Sequence, residues 1–171
     1  MVISLEEFSR LKMTDLVGKT IVCTSMFADP LHPGHVSLLL DSKKFGEVFV
    51  VIIDGDTRAV NKKGKPFIPA KDRADIVDAI KGVDYVVIHE NPTATNCLEA
   101  LEYIKPDVFT KGGDRNDKDR HDPNSGLKVE ADFIESYGGR IEYGVGKDKE
   151  WSSSNYLAEW VEFVNSKKDS N

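Results

Sequence analysis

Apolar and polar positions along the chain fall into blocks whose period changes from one block to the next. Leu5, Phe8, Leu11 and Leu16 recur at helical spacing, and Ser4 with Glu7 fits a capping box. A short amphipathic helix is therefore expected over residues 2–17, ended by Gly18. Ile21 to Met26 reads as an apolar strand. Gly34-His35 opens a helix carrying Val36, Leu39, Leu40 and Phe45, and Gly46 closes it. Val48 to Ile53 is unbroken apolar sequence, the pattern of a strand covered on both faces. Residues 54–68 are polar and predict a loop containing Asn61-Lys-Lys-Gly-Lys65. Pro69 leads a helix through Ile80, and Tyr85 to Ile88 is the third strand.

Asn96 and Glu99 cap a further helix that Pro106 stops. Val108 to Lys111 is a fourth strand, broken by Gly112-Gly113. Residues 115–125 are charged and predict a loop. Leu127 to Tyr137 predicts a helix, and Arg140 to Tyr143 a fifth strand. Ser154 caps the last helix, which carries Leu157, Trp160, Val161 and Val164, and a polar, frayed tail is expected from Ser166. Alternating strands and helices require right-handed crossovers, hence an α/β fold: a three-layer α/β/α arrangement with a five-stranded, mainly parallel sheet. The organisation expected is a helix over 1–19, one domain over 20–166 and a tail over 167–171. In such a sheet, ligands bind beyond the carboxyl ends of the strands, where strand order reverses.

Bulk properties narrow the chemistry. The chain has 171 residues, 40% hydrophobic and 30% charged, as one soluble domain would. A net charge of −6 argues against nucleic acid or a membrane surface as partner. Cys23 and Cys97 have neither metal spacing nor a disulfide framework, which points to a reducing, cytoplasmic setting. No signal peptide or membrane span is readable.

The first strand ends in Asp29-Pro-Leu-His32-Pro-Gly34-His35. Gly34 permits close backbone approach, and a helix N-terminus offers unsatisfied N–H groups and positive potential to an anion. Two imidazoles beside it can donate to phosphate oxygens, where charge grows during phosphoryl transfer. The alternatives are a turn with two surface histidines, or a metal site that lacks a third ligand. Lys62, Lys63 and Lys65 make either a solvated turn or a phosphate clamp. Lys111-Gly112-Gly-Asp114 lets a flat base or ribose lie on the backbone, with Asp114 accepting from hydroxyls. Ser152, Ser153 and Ser154 at a helix start can cap it and bind an anion together, and Lys149 can add charge to the phosphates. Trp151 and Trp160 read as packing residues.

These pieces together resemble the HxGH cytidylyltransferase-like nucleotidyltransferase superfamily over about residues 20–160. The signature is the His32 to His35 run. Asp54-Gly-Asp56 follows the second strand, the basic loop comes next, and Arg73 opens the following helix. Lys111-Gly-Gly-Asp114 is similar to the KGGD of the heptose-phosphate adenylyltransferases, and Trp151-Ser-Ser-Ser154 to the run before the family's final helix. Met26 stands where the family usually has glycine, and Phe27 stands one place before the family's phenylalanine. The resemblance implies a Rossmann-like fold and transfer of a nucleotide from a nucleoside triphosphate to a phosphorylated small molecule, with release of pyrophosphate. It implies catalytic roles for His32, His35, Lys63 and Lys65. Nucleotide contacts would come from Phe27, Asp29, Gly34, Arg73, Lys111, Gly112, Asp114, Lys149 and Ser152 to Ser154, and acceptor contacts from Asp54, Asp56 and Lys62. Without the resemblance Arg73 reads as a surface residue.

Mg²⁺ is expected with the triphosphate, held mostly by phosphate and water, and superfamily habit implies a homodimer. Adenylyl transfer to a sugar 1-phosphate is the reading favoured by the KGGD-like run. A cytidylyltransferase acting on glycerol phosphate or a similar alcohol phosphate, a flavin-forming adenylyltransferase, and a non-catalytic nucleotide-binding regulator are the alternatives.

Overall fold

The computed structural model describes residues 1–168 apart from 94, 114–116, 124 and 149. Five strands, β1 (Ile21–Met26), β2 (Val48–Asp54), β3 (Tyr85–His89), β4 (Val108–Gly112) and β5 (Arg140–Val145), form one sheet in the order β3-β2-β1-β4-β5. Every neighbouring pair is parallel. The chain winds outward from β1 to β3, then crosses back to β4, so strand order reverses between β1 and β4.

Side chains of successive strand residues point to opposite faces, and both faces are buried. On one face Ile21, Cys23, Val50, Ile52 and Phe109 pack under α1 (Leu5–Met13), α5 (Leu98–Ile104) and α7 (Gly126–Ser136), through Phe8, Leu101 and Ile134. On the other, Val22, Phe49, Val51, Ile53 and Val108 pack under α2 (Pro33–Ser42) and α4 (Ala70–Asp78), through Leu38, Leu39, Ala74 and Val77. Buried hydroxyls add a polar tie. Ser42 of α2 meets the Thr110 hydroxyl at 2.7 Å, and Thr24 donates to the Thr110 carbonyl at 2.9 Å. The His-bearing helix is thereby fixed to β1 and β4.

Several boundaries differ from the sequence expectation. The first helix begins at Leu5, capped by Ser4, which accepts from the Glu7 N–H at 3.1 Å. Residues before it run along the β3 edge instead, with Val2 bridging Val86. The 54–68 segment is not a loop throughout: α3 (Asp56–Lys63) occupies half of it, ended by Gly64 at φ +86°. Only Ala59 of α3 is buried, so the helix leaves no apolar stripe to read. The short helix α6 (Asp117–His121) lies in the charged 115–125 segment for the same reason. β5 continues to Val145, and α8 (Ser153–Lys168) continues past Ser166.

Candidate active site

A cleft of about 390 Å³ opens at the carboxyl ends of β1, β2 and β4, at the reversal of strand order. On its β4 side it is bounded by helix N-termini. His32 is the N-cap of α2, and its Nδ1 accepts the His35 backbone N–H at 3.3 Å. With Nδ1 used as an acceptor, a neutral His32 carries its proton on Nε2, where it can be donated elsewhere. The two rings stack with centroids 3.7 Å apart, and both line the cleft. Gly34 makes this possible, because a Cβ there would lie 3.1 Å from His32 Cε1 and 3.2 Å from Trp151 Cε3. The turn leading in is unusual as well: Ala28 is buried at φ 52°, and Asp29-Pro30 is a cis peptide.

α7 starts at Gly126, with the Ser125 hydroxyl accepting the Leu127 N–H at 3.2 Å. α8 starts at Ser153, so the cap falls on Ser152, two residues before the expected Ser154, and Ser152 accepts the Asn155 N–H at 3.4 Å. Ser153 donates to the Pro30 carbonyl at 2.9 Å, which ties α8 to the β1–α2 turn. Three helix N-termini, two histidines and the Ser152 to Ser154 hydroxyls thus face one cleft. Their summed backbone dipoles favour an anion there.

The β2 side carries fixed cations. Arg58, Lys62 and Lys63, all on α3, surround the Phe27 ring at 5.7, 4.8 and 5.4 Å from its centroid. Arg58 pairs with Asp54 of β2, four residues earlier. Burial raises the Asp54 carboxyl pKa, and Arg58 opposes the shift. Burial pulls the Lys63 ammonium below its usual value, and Asp29 opposes this. Lys63 donates to the Asp29 carbonyl at 2.9 Å and lies 3.7 Å from its carboxylate.

At the cleft floor, Lys111 pairs with Glu130 at 2.9 Å and donates to the Ser25 hydroxyl at 3.2 Å. Glu130 also accepts from the Cys97 N–H and thiol, at 2.9 and 3.1 Å. Burial alone would push the Glu130 pKa up, but Lys111 and the Cys97 donors outweigh it and hold the carboxyl below its usual value. A depressed carboxyl pKa contributes stability above the unfolded value and loses it as pH falls through the folded one. Glu130→Gln should therefore cost about 3 kcal/mol near pH 7, by leaving the Lys111 ammonium uncompensated. The gap to wild type should narrow below about pH 4. Thermal melts between pH 3 and 7 check this, and a gap that is constant with pH counts against the ion pair as its source.

Other expected site residues lie elsewhere. Lys65 is exposed and off the cleft wall, because the chain turns away at Gly64. Arg73 is a correction: it does not reach the cleft. Its guanidinium is wholly buried and donates to the carbonyls of Ile68, Phe27 and Asp54 and to Asp56, at 2.6 to 2.8 Å. Asp56 is likewise spent on Arg73 and on the Ala70 N–H at 2.8 Å. Asp29 is buried and accepts from the N–H groups of Phe67 and Ile68, at 3.0 and 2.8 Å. These three are latches beneath the cleft rather than parts of its wall. Asp114 and Lys149 lie outside the described residues.

Phe27, His32, Gly34, His35, Asp54, Lys62, Lys63, Lys111, Gly112 and Ser152 to Ser154 do line the cleft. Arg58, Glu130, Thr95, Lys147 and Trp151 line it too, though the sequence pattern does not mark them as site residues. Helical spacing from Asp54 to Arg58 was the one signal available for the first, and it depended on recognising α3.

A family model described as cytidylyltransferase-like matches residues 27–154, which hold every cleft residue except Thr24, Ser25 and Met26. The chain belongs to the cytidylyltransferase-like family of nucleotidyltransferases. Among curated relatives, the bifunctional protein HldE of Desulfatibacillum aliphaticivorans is 39% identical over 127 residues, 72% of this chain. The bifunctional protein HldE of Syntrophotalea carbinolica is 36% identical over 127 residues, 73% of this chain. The chain spans about a quarter of the length of these relatives, 24% in both cases. Among solved structures, the lipopolysaccharide core biosynthesis protein of Thermoplasma volcanium superposes with TM-score 0.62 at 24% identity, over 77% of this chain and 100% of that one. Pantoate-beta-alanine ligase of Francisella tularensis, solved in complex with beta-gamma ATP and beta-alanine, gives TM-score 0.62 at 14% identity, over 92% of this chain and 72% of that one. At these identities the two structures share the fold of this cytidylyltransferase-like chain.

Proposed function

We propose that this chain transfers a nucleoside monophosphate from a nucleoside triphosphate to a phosphorylated sugar, releasing pyrophosphate, with ATP as donor and a sugar 1-phosphate as acceptor. The observation that carries the reading is the convergence of three helix N-termini and the stacked His32–His35 pair on one cleft at the β1/β4 reversal. Such a cradle is built for a polyphosphate. The choice of acceptor rests on the similarity to HldE proteins and on the Lys111-Gly112-Gly113 run at the end of β4.

In this reading an oxygen of the acceptor phosphate attacks the α-phosphorus in line. The bond to the bridging oxygen breaks, and pyrophosphate leaves with the electron pair. The protein supplies position and charge stabilisation. His32 and His35 stabilise the α-phosphate and the leaving group, and the Ser152 to Ser154 start of α8 holds the terminal phosphates. Lys63 and Lys62 add positive charge from the other side.

Mg²⁺ would neutralise part of the triphosphate charge. The donor set fits an ion carried mainly by phosphate and water, because two of the three cleft carboxylates, Asp54 and Glu130, are already committed to Arg58 and Lys111, which leaves Asp148. Among the described residues no group of three acidic, His or Cys side chains gathers to form a metal cage, and no helix is long and apolar enough to cross a membrane. A cytoplasmic setting and a homodimer complete the proposal.

The test is incubation with each of the four triphosphates and a panel of sugar and alcohol phosphates, read as pyrophosphate release. ATP with a sugar 1-phosphate should give the highest rate. Preferential release with CTP and glycerol 3-phosphate would replace this reading with the cytidylyltransferase one. Tight nucleotide binding without release from any pair would make the protein a regulator.

A further inference from the structure

Arg58 has no role in the transfer described above, yet it stands on the cleft wall with its side chain only 11% exposed. It belongs to α3, and the Asp54 carboxylate at the end of β2 holds it in place. Its guanidinium, the Lys62 ammonium and the Lys63 ammonium all lie within 6 Å of the Phe27 ring centroid. This cluster differs in kind from the opposite side of the cleft, where helix N-termini, hydroxyls and imidazoles converge. Partial charges spread over several donors suit an extended polyphosphate, whereas three full charges around one ring suit a compact dianion. A guanidinium has five N–H donors in a planar fork. Asp54 takes one at Nη1, so the pair can present further donors to a second anion. Both sides line the same cleft at the carboxyl end of β1.

From this arrangement we infer that Arg58 is an acceptor-recognition residue, which with Lys62 and Lys63 forms a phosphate-monoester subsite distinct from the triphosphate cradle. The inference rests on the transfer reading above for the word acceptor, but the anion subsite can be tested without turnover. Asp54 positions Arg58: the three cations stand against the Asp54 and Asp29 carboxylates, so the subsite keeps a net positive charge, near +1, for a phosphate to neutralise.

The competing explanation is that Arg58 exists only to neutralise the buried Asp54. The double variant Arg58→Met/Asp54→Asn separates the two, because it removes the cation and the acid together and leaves no buried charge uncompensated. Calorimetry on the full chain would measure ATP alone, then glucose 1-phosphate and inorganic phosphate in the presence of a non-hydrolysable ATP analogue. The expected result is a dissociation constant for both phosphate probes at least tenfold weaker in the double variant, with ATP affinity within about twofold of wild type. Unchanged phosphate affinity in the double variant overturns the inference in favour of charge neutralisation. A matching loss of ATP affinity overturns it in favour of a triphosphate contact, and failure of the wild type to bind either probe at millimolar concentration overturns it outright. Failure of the transfer reading would look different: no pyrophosphate released by wild type, with the calorimetric contrast intact.

Discussion

His35→Ala should lower kcat for pyrophosphate release by about 10²- to 10³-fold, the range expected when one pre-positioned donor to a developing phosphoryl charge is removed. The fold should survive, because His35 lies inside α2 and the contacts that seat this helix come from Leu38, Leu39 and Ser42. A melting temperature within about 2 °C of wild type is expected. The Michaelis constant for the triphosphate should change less than kcat, since the helix N-termini of α2, α7 and α8 still hold the phosphates. His32 should behave differently. It is both a cleft residue and the N-cap of α2, so His32→Ala should slow turnover and also cost about 1 kcal/mol of stability. His32→Asn should recover the stability and not the rate. Near-normal turnover in His35→Ala would remove the histidine pair from the mechanism.

The largest stability effect should come from Arg73. Its guanidinium gathers the carbonyls of Phe27, Asp54 and Ile68 and the Asp56 carboxylate, all at 2.8 Å or less. Phe27 and Asp54 follow β1 and end β2 respectively, so one side chain fixes the relative position of both strand ends. Arg73→Met would leave these acceptors without their donors in a buried setting, at a cost of about 3 to 5 kcal/mol. For a chain of this size that corresponds to a melting temperature lower by roughly 10 °C. Arg73→Lys should recover little, because one ammonium cannot span the same acceptors. Activity should fall with stability, since the cleft walls are what Arg73 aligns. A melt of Arg73→Met within about 2 °C of wild type would show that the buried fork is not a staple.

Arg73 also shows where sequence reading stops. The strands are legible because Val48 to Ile53 of β2 is unbroken apolar sequence and the others are short, mostly apolar or alternating runs between turn residues. The His32 to His35 site was legible because proline and glycine mark a strand-to-helix turn and the histidines flank it. Arg73 gave no such signal for its structural role, since most of its partners are backbone carbonyls, which every residue has. The α3 segment reads as loop because six of its eight residues are polar and its one larger apolar side chain, Val60, is exposed, leaving Ala59 alone in the core. Arg58 is hidden with it, because its pairing with Asp54 depends on one helical turn. The floor pair Lys111–Glu130 joins residues 19 apart in sequence by bringing α7 over β4, a contact that only the tertiary fold creates. The family resemblance supplied the reaction class, and the three-dimensional arrangement separates cleft wall from the latches beneath it.

Asp29 has a mechanical consequence. Its carboxylate accepts from Phe67 and Ile68, and Lys63 reaches its carbonyl. The segment that leads into α2 and the segment that leaves α3 therefore share one buried residue. A displacement of the cationic side would be transmitted directly to the turn that carries the histidines. The two sides form a single jaw, so an acceptor seated against Lys63 would sense, and be sensed by, the geometry at His32.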